Sequence, residues 1–393
     1  MTTTSAPTVS AFTETSERQE LRRAVGELGR SFGPDYFREC ARTGAKTDEL
    51  WAAAGRLGYL GVSVGTQWGG GGGDIGDLAA VCEELAAAGC PMLLMVVSPA
   101  ICATTIERFG TDAQRDRWLP GFADGTLKMA FGITEPDAGS NTHQLSTAVR
   151  RDGAEWVLSG RKYYISGVDE SSHVLVVARH TDADGVRGLP SVFIVPTDAP
   201  GFSASMIDMD IVSPEKQFTL FFDDVRLPAD ALVGDPAAGL TQLFAGLNPE
   251  RIMAASFATG LGQFAMAKAV RYATERSVWS TPIGAHQGIA HPLAHCAIQL
   301  ELARTMTQKA AAMYAAGAKG AGEAANMAKY AAAEAASATV DQAIQTHGGN
   351  GLASEYGLGS LLGGSRVMKI APVSREMILN YVATHTLGLP RSY

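Results

Sequence analysis

The sequence is poor in most of the features that mark specialised classes of protein. It has no CxxC pair, and its five cysteines (Cys40, Cys82, Cys90, Cys102 and Cys296) are scattered and odd in number, which argues against both a zinc site and a disulfide framework. A reducing compartment fits, and the expected location is cytoplasmic. No apolar run approaches the roughly 18 residues that a membrane span requires, and the stretch from Met92 to Ala103 is too short. Basic charge is in deficit: 32 Lys and Arg against 40 Asp and Glu leave a net charge of −8, with no excess to neutralise a nucleic-acid backbone. Residues 1–16 have neither the basic start and apolar core of a secretory signal nor the Arg-rich pattern of a transit peptide, and read as a frayed tail. The glycine run Gly69 to Gly73 has no preceding strand and no following Lys-Ser/Thr, so it reads as a flexible turn rather than a phosphate loop.

What is present is length and pattern. A chain of 393 residues exceeds the size at which single cores stop growing, so two or three packed layers or subdomains are expected. Over 17–128 the periodicity is helical: Leu21, Val25, Leu28 and Phe32 recur at three- and four-residue steps, as do Leu50, Ala53, Leu57 and Leu60. Over 129–236 it changes to short β-rich runs, among them Ala154 to Leu158, Val174 to Ala178, Val192 to Val195 and Phe218 to Phe222, which read as a β-barrel or sandwich. Over 237–393 helical patterns return at Ile252 to Tyr272, His291 to Ala316 and the Ala-rich stretch Ala321 to Thr346. The expectation is an α+β multidomain chain, helical, then β, then a helical bundle whose small residues suit close interhelical or intersubunit packing.

Six segments stand out: Phe131-Gly132-Ile133-Thr134-Glu135-Pro136-Asp137-Ala138-Gly139-Ser140-Asn141, Lys162-Tyr163-Tyr164-Ile165-Ser166-Gly167, Phe222 to Pro228, Asn248-Pro249-Glu250-Arg251, Glu275-Arg276 with His286-Gln287, and Gln345-Thr346-His347-Gly348-Gly349-Asn350-Gly351. In the first, a glycine beside a hydroxyl lets backbone amides and the Ser140 side chain approach a polar ring edge. In order and spacing the six resemble the acyl-CoA dehydrogenase family over nearly all of 17–383. The resemblance implies a three-domain fold holding FAD, its isoalloxazine ring facing an acyl-CoA pocket.

By the same resemblance Phe131, Ile133, Thr134, Gly139 and Ser140 lie against the flavin, Ser140 also near the thioester, with Tyr164, Ile165 and Ser166 beside them. Arg276, with His286 and Gln287, matches the site that pairs with the FAD pyrophosphate of a neighbouring subunit, a task suited to a planar guanidinium. Gln345, Thr346, His347, Gly348 and Gly349 match the adenosine side of FAD. A homodimer or homotetramer and electron transfer to an electron-transferring flavoprotein follow from the same likeness.

Desaturation of a thioester needs a carboxylate at the α-carbon, while the β-hydride leaves for flavin N5. Short- and medium-chain members carry that base in a C-terminal Tyr-Glu-Gly-Thr-Ser/Ala-Glu segment. Here Ile370-Ala371-Pro372-Val373-Ser374-Arg375-Glu376 places Pro372 at that position. The isovaleryl- and long-chain-type branch instead carries the base in a Glu-Arg pair, matched by Glu250 and Arg251, with Asn248 and Arg251 near the substrate. Asn-Pro-Glu also suits a helix start, with Asn248 as N-cap and Pro249 at N1. Pro372 lacks the amide that would meet the thioester carbonyl, so Val373 is the expected donor, while Ser374 and Glu376 match flavin-contacting positions. Two alternatives stay open: a flavin-dependent oxidase or monooxygenase on the same fold, and a non-catalytic FAD-binding subunit.

Overall fold

The computed structural model describes residues 14–181, 187–236 and 240–391. In chain order the helices are α1 (Ser16–Thr43), α2 (Asp48–Arg56), α3 (Ile75–Ala87), α4 (Leu94–Val97), α5 (Thr104–Phe109), α6 (Asp112–Ala123), α7 (Leu240–Glu275), α8 (Gln287–Ala315), α9 (Ala321–His347), α10 (Leu361–Ile370) and α11 (Arg375–Tyr381). The strands are β1 (Met129–Gly132), β2 (Ala148–Asp152), β3 (Glu155–Ser166), β4 (His173–Thr181), β5 (Arg187–Pro196), β6 (Phe202–Ile207), β7 (Gln217–Leu227) and β8 (Leu232–Val233), followed by the two-stranded ribbon β9 (Ser277–Val278) and β10 (Thr281–Pro282). The chain divides into two compact units. One holds the described residues up to Phe37, Ile75–Pro91 and everything from Arg251 on; the other holds Arg38–Asp74 and Met92–Glu250.

The second unit is built on one sheet in the order β6-β7-β3-β2-β4-β5-β8, with β1 running parallel alongside β4. The Val-Leu-Val-Val-Ala run of β4 is apolar without alternation because both of its faces are covered. Leu175 and Val177 join a core with Ile101, Cys102, Ile106 and Phe122 from the helical segments. Val174, Val176 and Ala178 join another with Phe193, Phe218, Leu220 and Phe222 from the sheet itself. Between α4 and α5 the chain passes through a π-helical turn, Ser98–Ala103. The Gly69–Gly73 turn is tightly bonded: its five amides donate to the carbonyls of Thr66, Gly65, Gly61, Val64 and Val62. None of those N–H groups is left to cradle a phosphate.

In the first unit helices approach closely because small residues line the crossings. A Cβ at Gly260 of α7 would lie 2.2 Å from the Glu83 carbonyl of α3, and one at Gly262 would lie 2.5 Å from Leu300 of α8. The same crossing buries charge: Glu83, 2% exposed, binds Arg304 at 2.8 Å and Arg22 at 3.1 Å. Of the expected tail, residues 1–13 lie outside the described residues, whereas Glu14 is buried against Arg22 at 2.7 Å. The helix start expected at Asn248 is corrected, since α7 begins upstream and carries Pro249 within it. Proline costs a helix one backbone hydrogen bond, a loss that packing of α7 along its length outweighs.

Removing one partner of a buried charge cluster leaves the others desolvated and unpaired. Glu83→Ala is therefore expected to lower stability by about 3 kcal/mol, measured by denaturant unfolding. A change within about 0.5 kcal/mol, the range of ordinary surface substitutions, would refute this role.

Candidate active site

The segment after β1 is held from behind and open in front. Glu135, 3% exposed, and Lys162 of β3, fully buried, form an ion pair at 2.8 Å. The carboxylate also accepts from the Ser146 amide and hydroxyl, both at 2.6 Å, and from the Thr147 amide at 2.9 Å. Lys162 donates to the Ile133 carbonyl at 3.0 Å, and the Tyr163 amide donates to Thr134 at 2.8 Å. Glu135 and Ala138 exchange backbone hydrogen bonds, which closes the turn. Burial raises the Glu135 carboxyl, but the Lys162 ammonium and the bonds from Ser146 and Thr147 outweigh it and hold it down at about 2. Burial lowers Lys162 to about 8, against the pull of Glu135, so both groups are charged at neutral pH. On the open side Gly139 and Ser140 are exposed, and a Cβ at Gly139 would meet nothing within 4 Å.

The pairing of β3 with β7 shifts register between Lys162 and Ile165, and Tyr164 takes a left-handed backbone with φ 58°. A bulge of this kind turns a side chain off the regular alternation. Tyr164 is half exposed beside Tyr163, with ring centroids 4.2 Å apart, while Ser166 donates to Gln217 at 3.0 Å. Phe131 and Ile165 are instead packed in the sheet cores.

Glu250 closes this unit. One turn earlier on α7, a Cβ at Gly246 would lie 2.7 Å from the Thr105 hydroxyl and 3.7 Å from Ile101, so this face of the helix lies against the π-helical turn and α5. Glu250, four residues on, shares that face. Burial and the nearby Glu250 charge raise the Cys102 thiol, on the π-helical turn, well above its usual range. Glu250 and Asn248 are half-buried and Arg251 is buried.

In the other unit Arg276 follows the last residue of α7, and the β9–β10 ribbon comes next with Trp279 at its tip, 90% exposed. Its two turn residues, Trp279 and Ser280, have φ values of 54° and 67°. His286 caps α8 with its backbone and Gln287 begins that helix, both exposed. At the end of α9, Gln345, Gly348 and Gly349 are exposed, and a Cβ at either glycine would meet nothing within 4 Å. Thr346 turns back to the Gln342 carbonyl at 2.8 Å. The buried His347 ring stacks on Tyr272 at 4.1 Å and bonds the Ala343 carbonyl at 2.8 Å. Between α10 and α11, Ser374 caps α11 by accepting from the Met377 amide at 3.3 Å, and Glu376 is exposed beside Arg375 at 3.1 Å. The segment Ala371 to Ser374 contains no carboxylate.

Sequence reasoning missed Lys162, which lies in the segment Lys162 to Gly167 but whose inward position depends on strand register. Among the described residues no cluster of His, Cys, Asp and Glu could hold a metal. In one unit the open backbone at Gly139 and the exposed Tyr164 ring suit close approach and stacking by an aromatic ring; in the other, taken by itself, the open backbone at Gly348 and Gly349 and the Arg276 guanidinium suit close approach and phosphate pairing. They fit FAD.

A helical–β–helical chain with such groups is the class of flavin-dependent oxidoreductase that acts on a bound organic substrate. Models of the N-terminal, middle and C-terminal domains of acyl-CoA dehydrogenase match residues 15–126, 130–225 and 237–387. The acyl-CoA dehydrogenase FadE12 of Mycobacterium tuberculosis is 58% identical over 98% of this chain and 100% of that protein. Among solved structures, butyryl-CoA dehydrogenase from Megasphaera elsdenii matches with a TM-score of 0.90 at 27% identity, covering 95% of this chain and 99% of the other. A glutaryl-CoA dehydrogenase from Mycobacterium smegmatis in complex with FADH2 matches with a TM-score of 0.90 at 25% identity, covering 98% of each. The chain belongs to the acyl-CoA dehydrogenase family. It is an acyl-CoA dehydrogenase, a flavoprotein oxidoreductase that uses FAD. No helix among the described residues is long and apolar enough to cross a membrane.

Glu135 has its folded value, about 2, below the ordinary 4.5, so its stabilisation is complete above pH 4.5 and lost as pH falls toward 2. Glu135→Gln is expected to cost about 3 kcal/mol at pH 7, the scale of a broken buried pair, with the gap from wild type closing through that acid window. Denaturant unfolding at pH 7 and pH 3 measures it, and an equal gap at both values would contradict the assignment.

Proposed function

We propose that the enzyme desaturates an acyl-CoA between its α and β carbons with Glu250 as the base. The observation that carries this reading is the placement of Glu250 on the face of α7 that lies against the π-helical turn, together with a C-terminal segment whose usual base position is occupied by Pro372. Glu250 takes the α-proton. The apolar side chains of the π-helical turn, Ile101 and Cys102 among them, limit water beside the carboxylate, which favours proton transfer from so weak a carbon acid. Bound FAD supplies the acceptor for the β-hydride at N5.

The other residues bind and orient. Asn248 and Arg251 flank the base and serve the substrate, and the Val373 amide donates to the thioester oxygen, since Pro372 has no N–H. Ile133, Thr134, Gly139, Ser140, Tyr164 and Ser166 serve the flavin ring, with Ser374 and Glu376. Phe131 and Ile165 support it from the sheet cores, and Ile165 offers only its backbone. Arg276, His286 and Gln287, and the segment Gln345 to Gly349, serve the pyrophosphate and adenosine. Electrons leave to an electron-transferring flavoprotein.

A homodimer or homotetramer accounts for the apolar exposure on α8, where Ile298 and Leu302, one turn apart, are 58% and 59% exposed. Arg276→Ala is expected to weaken FAD retention and assembly together, read as flavin content across gel filtration; unchanged flavin content would sink the pyrophosphate role.

Glu250→Gln keeps size and shape and loses only the basic carboxylate. With the best substrate from a panel of acyl-CoAs screened by flavin bleaching, it is expected to bind FAD and thioester yet slow flavin reduction by roughly 10²- to 10⁴-fold. Glu376→Gln should fall far less. Reduction of the Glu250→Gln flavin at the wild-type rate would place the base elsewhere.

A further inference from the structure

Helix α9 is built from alanine: Ala325, Ala328, Ala332, Ala333 and Ala336 are all buried. Within it stands Lys329, 1% exposed. An ammonium is costly to bury unless it is hydrogen-bonded, and this one donates to the Val373 carbonyl, 44 residues along the chain. Farther along the same helix, Glu334 grips both ends of the segment that contains Val373. It pairs with Lys369, in the last turn of α10, at 2.9 Å and with Arg375, the first residue of α11, at 3.2 Å. A third tie, from the Ser337 hydroxyl to the Ser365 carbonyl at 3.1 Å, fixes α10 to α9. The Ala371–Ser374 segment is thus held at its middle and at both stems by one helix.

We infer that Lys329 is a positioning residue for the dehydrogenation, and that with Glu334 it forms a clasp that sets where Val373 and Ser374 present their polar groups. The inference rests on the proposed placement of those two residues at the thioester and the flavin. The physical need is local. Pro372 can donate no hydrogen bond, so this short connection has one fewer backbone group with which to hold itself. Capture of the Val373 carbonyl fixes the peptide plane that joins Val373 to Ser374. That plane carries the Ser374 amide, and the Val373 amide, in the preceding peptide, is joined to it only through the φ and ψ of Val373, so anchoring the carbonyl narrows the range over which it can swing. The clasp also places a cationic group beside the residue that meets the thioester oxygen, where negative charge grows as the α-proton leaves. The Glu334 pairs are partly exposed, each with side chains 15% to 40% accessible, and are weak alone. The buried Lys329 bond is the dominant contact.

The test uses FAD-loaded enzyme carrying Lys329→Met, which keeps the length and removes the charge, and Glu334→Gln in parallel. Amide hydrogen exchange of peptides covering 371–376, read by mass spectrometry without substrate, reports the clasp independently of turnover. Loss of a hydrogen bond to a charged group is expected to speed exchange there by roughly tenfold or more, with the rest of α9 near wild type. Flavin reduction by the best acyl-CoA is expected to slow by roughly 10- to 100-fold, the scale of a small misplacement, with a smaller change in the half-saturating concentration.

Unchanged exchange over 371–376 overturns the clasp. Faster exchange across the whole helical unit with loss of FAD also overturns it, reducing Lys329 to a fold residue. Local loosening with wild-type flavin reduction overturns the positioning role and, with it, the placement of Val373 at the thioester; a slow Glu250→Gln enzyme would leave the assignment of the base standing. Should Lys329→Met fail to give folded holoenzyme, Glu334→Gln carries the same exchange test with a smaller expected rise, and no local rise there overturns the clasp.

Discussion

The ion pair between Lys162 and Glu135 lies where water does not reach. Two opposite charges in such a place are tolerable only together: their attraction offsets desolvation when the remaining hydrogen-bonding capacity is also met. Here it is met, on the carboxylate side by Ser146 and Thr147 and on the ammonium side by the Ile133 carbonyl. The pair therefore joins three stretches of chain, the segment after β1, the approach to β2 and the middle of β3. Its polar contacts face inward, which leaves the outward side at Gly139 and Ser140 clear. The left-handed Tyr164 belongs to the same construction, since the register shift that exposes its ring begins at Lys162.

The second constraint is the helix that carries Glu250. A single α7 runs through Pro249, so Glu250 takes its direction from a long packed helix rather than from a loop. Gly246 permits the close approach that faces this turn of the helix toward Ile101 and Thr105. A carboxylate on such an element is placed by packing. The Ala371–Ser374 segment is in turn tied to one helix through Lys329 and Glu334.

The helical unit depends on small residues for a related reason. Gly260 and Gly262 bring backbones within reach of Glu83 and Leu300. The space so removed leaves Glu83 shared by Arg22 and Arg304 rather than by water. Glycine and alanine in these helices give up side-chain burial per residue and gain proximity, and proximity makes the buried charges compatible with a close-packed interior.

The order helical, β, helical was legible from periodicity, because a 3.6-residue repeat and a two-residue repeat are written directly in where apolar residues fall. The resemblance carried by six ordered motifs gave the family, because such motifs depend on residue type and spacing alone. What the sequence could not carry was the partner of each group. Nothing in the local pattern marks Lys162 or Lys329 as buried, and only strand register and helix packing turn them inward. Asn248 and Pro249 read as a helix start, and only the packing of α7 shows that the helix passes through them. The Gly69–Gly73 run read as a flexible turn, and only the carbonyls brought around it show that its amides are all engaged. Propensity and pattern act over a few residues, while a buried charge or an occupied amide is decided by atoms dozens of positions away, which come together only when the chain folds.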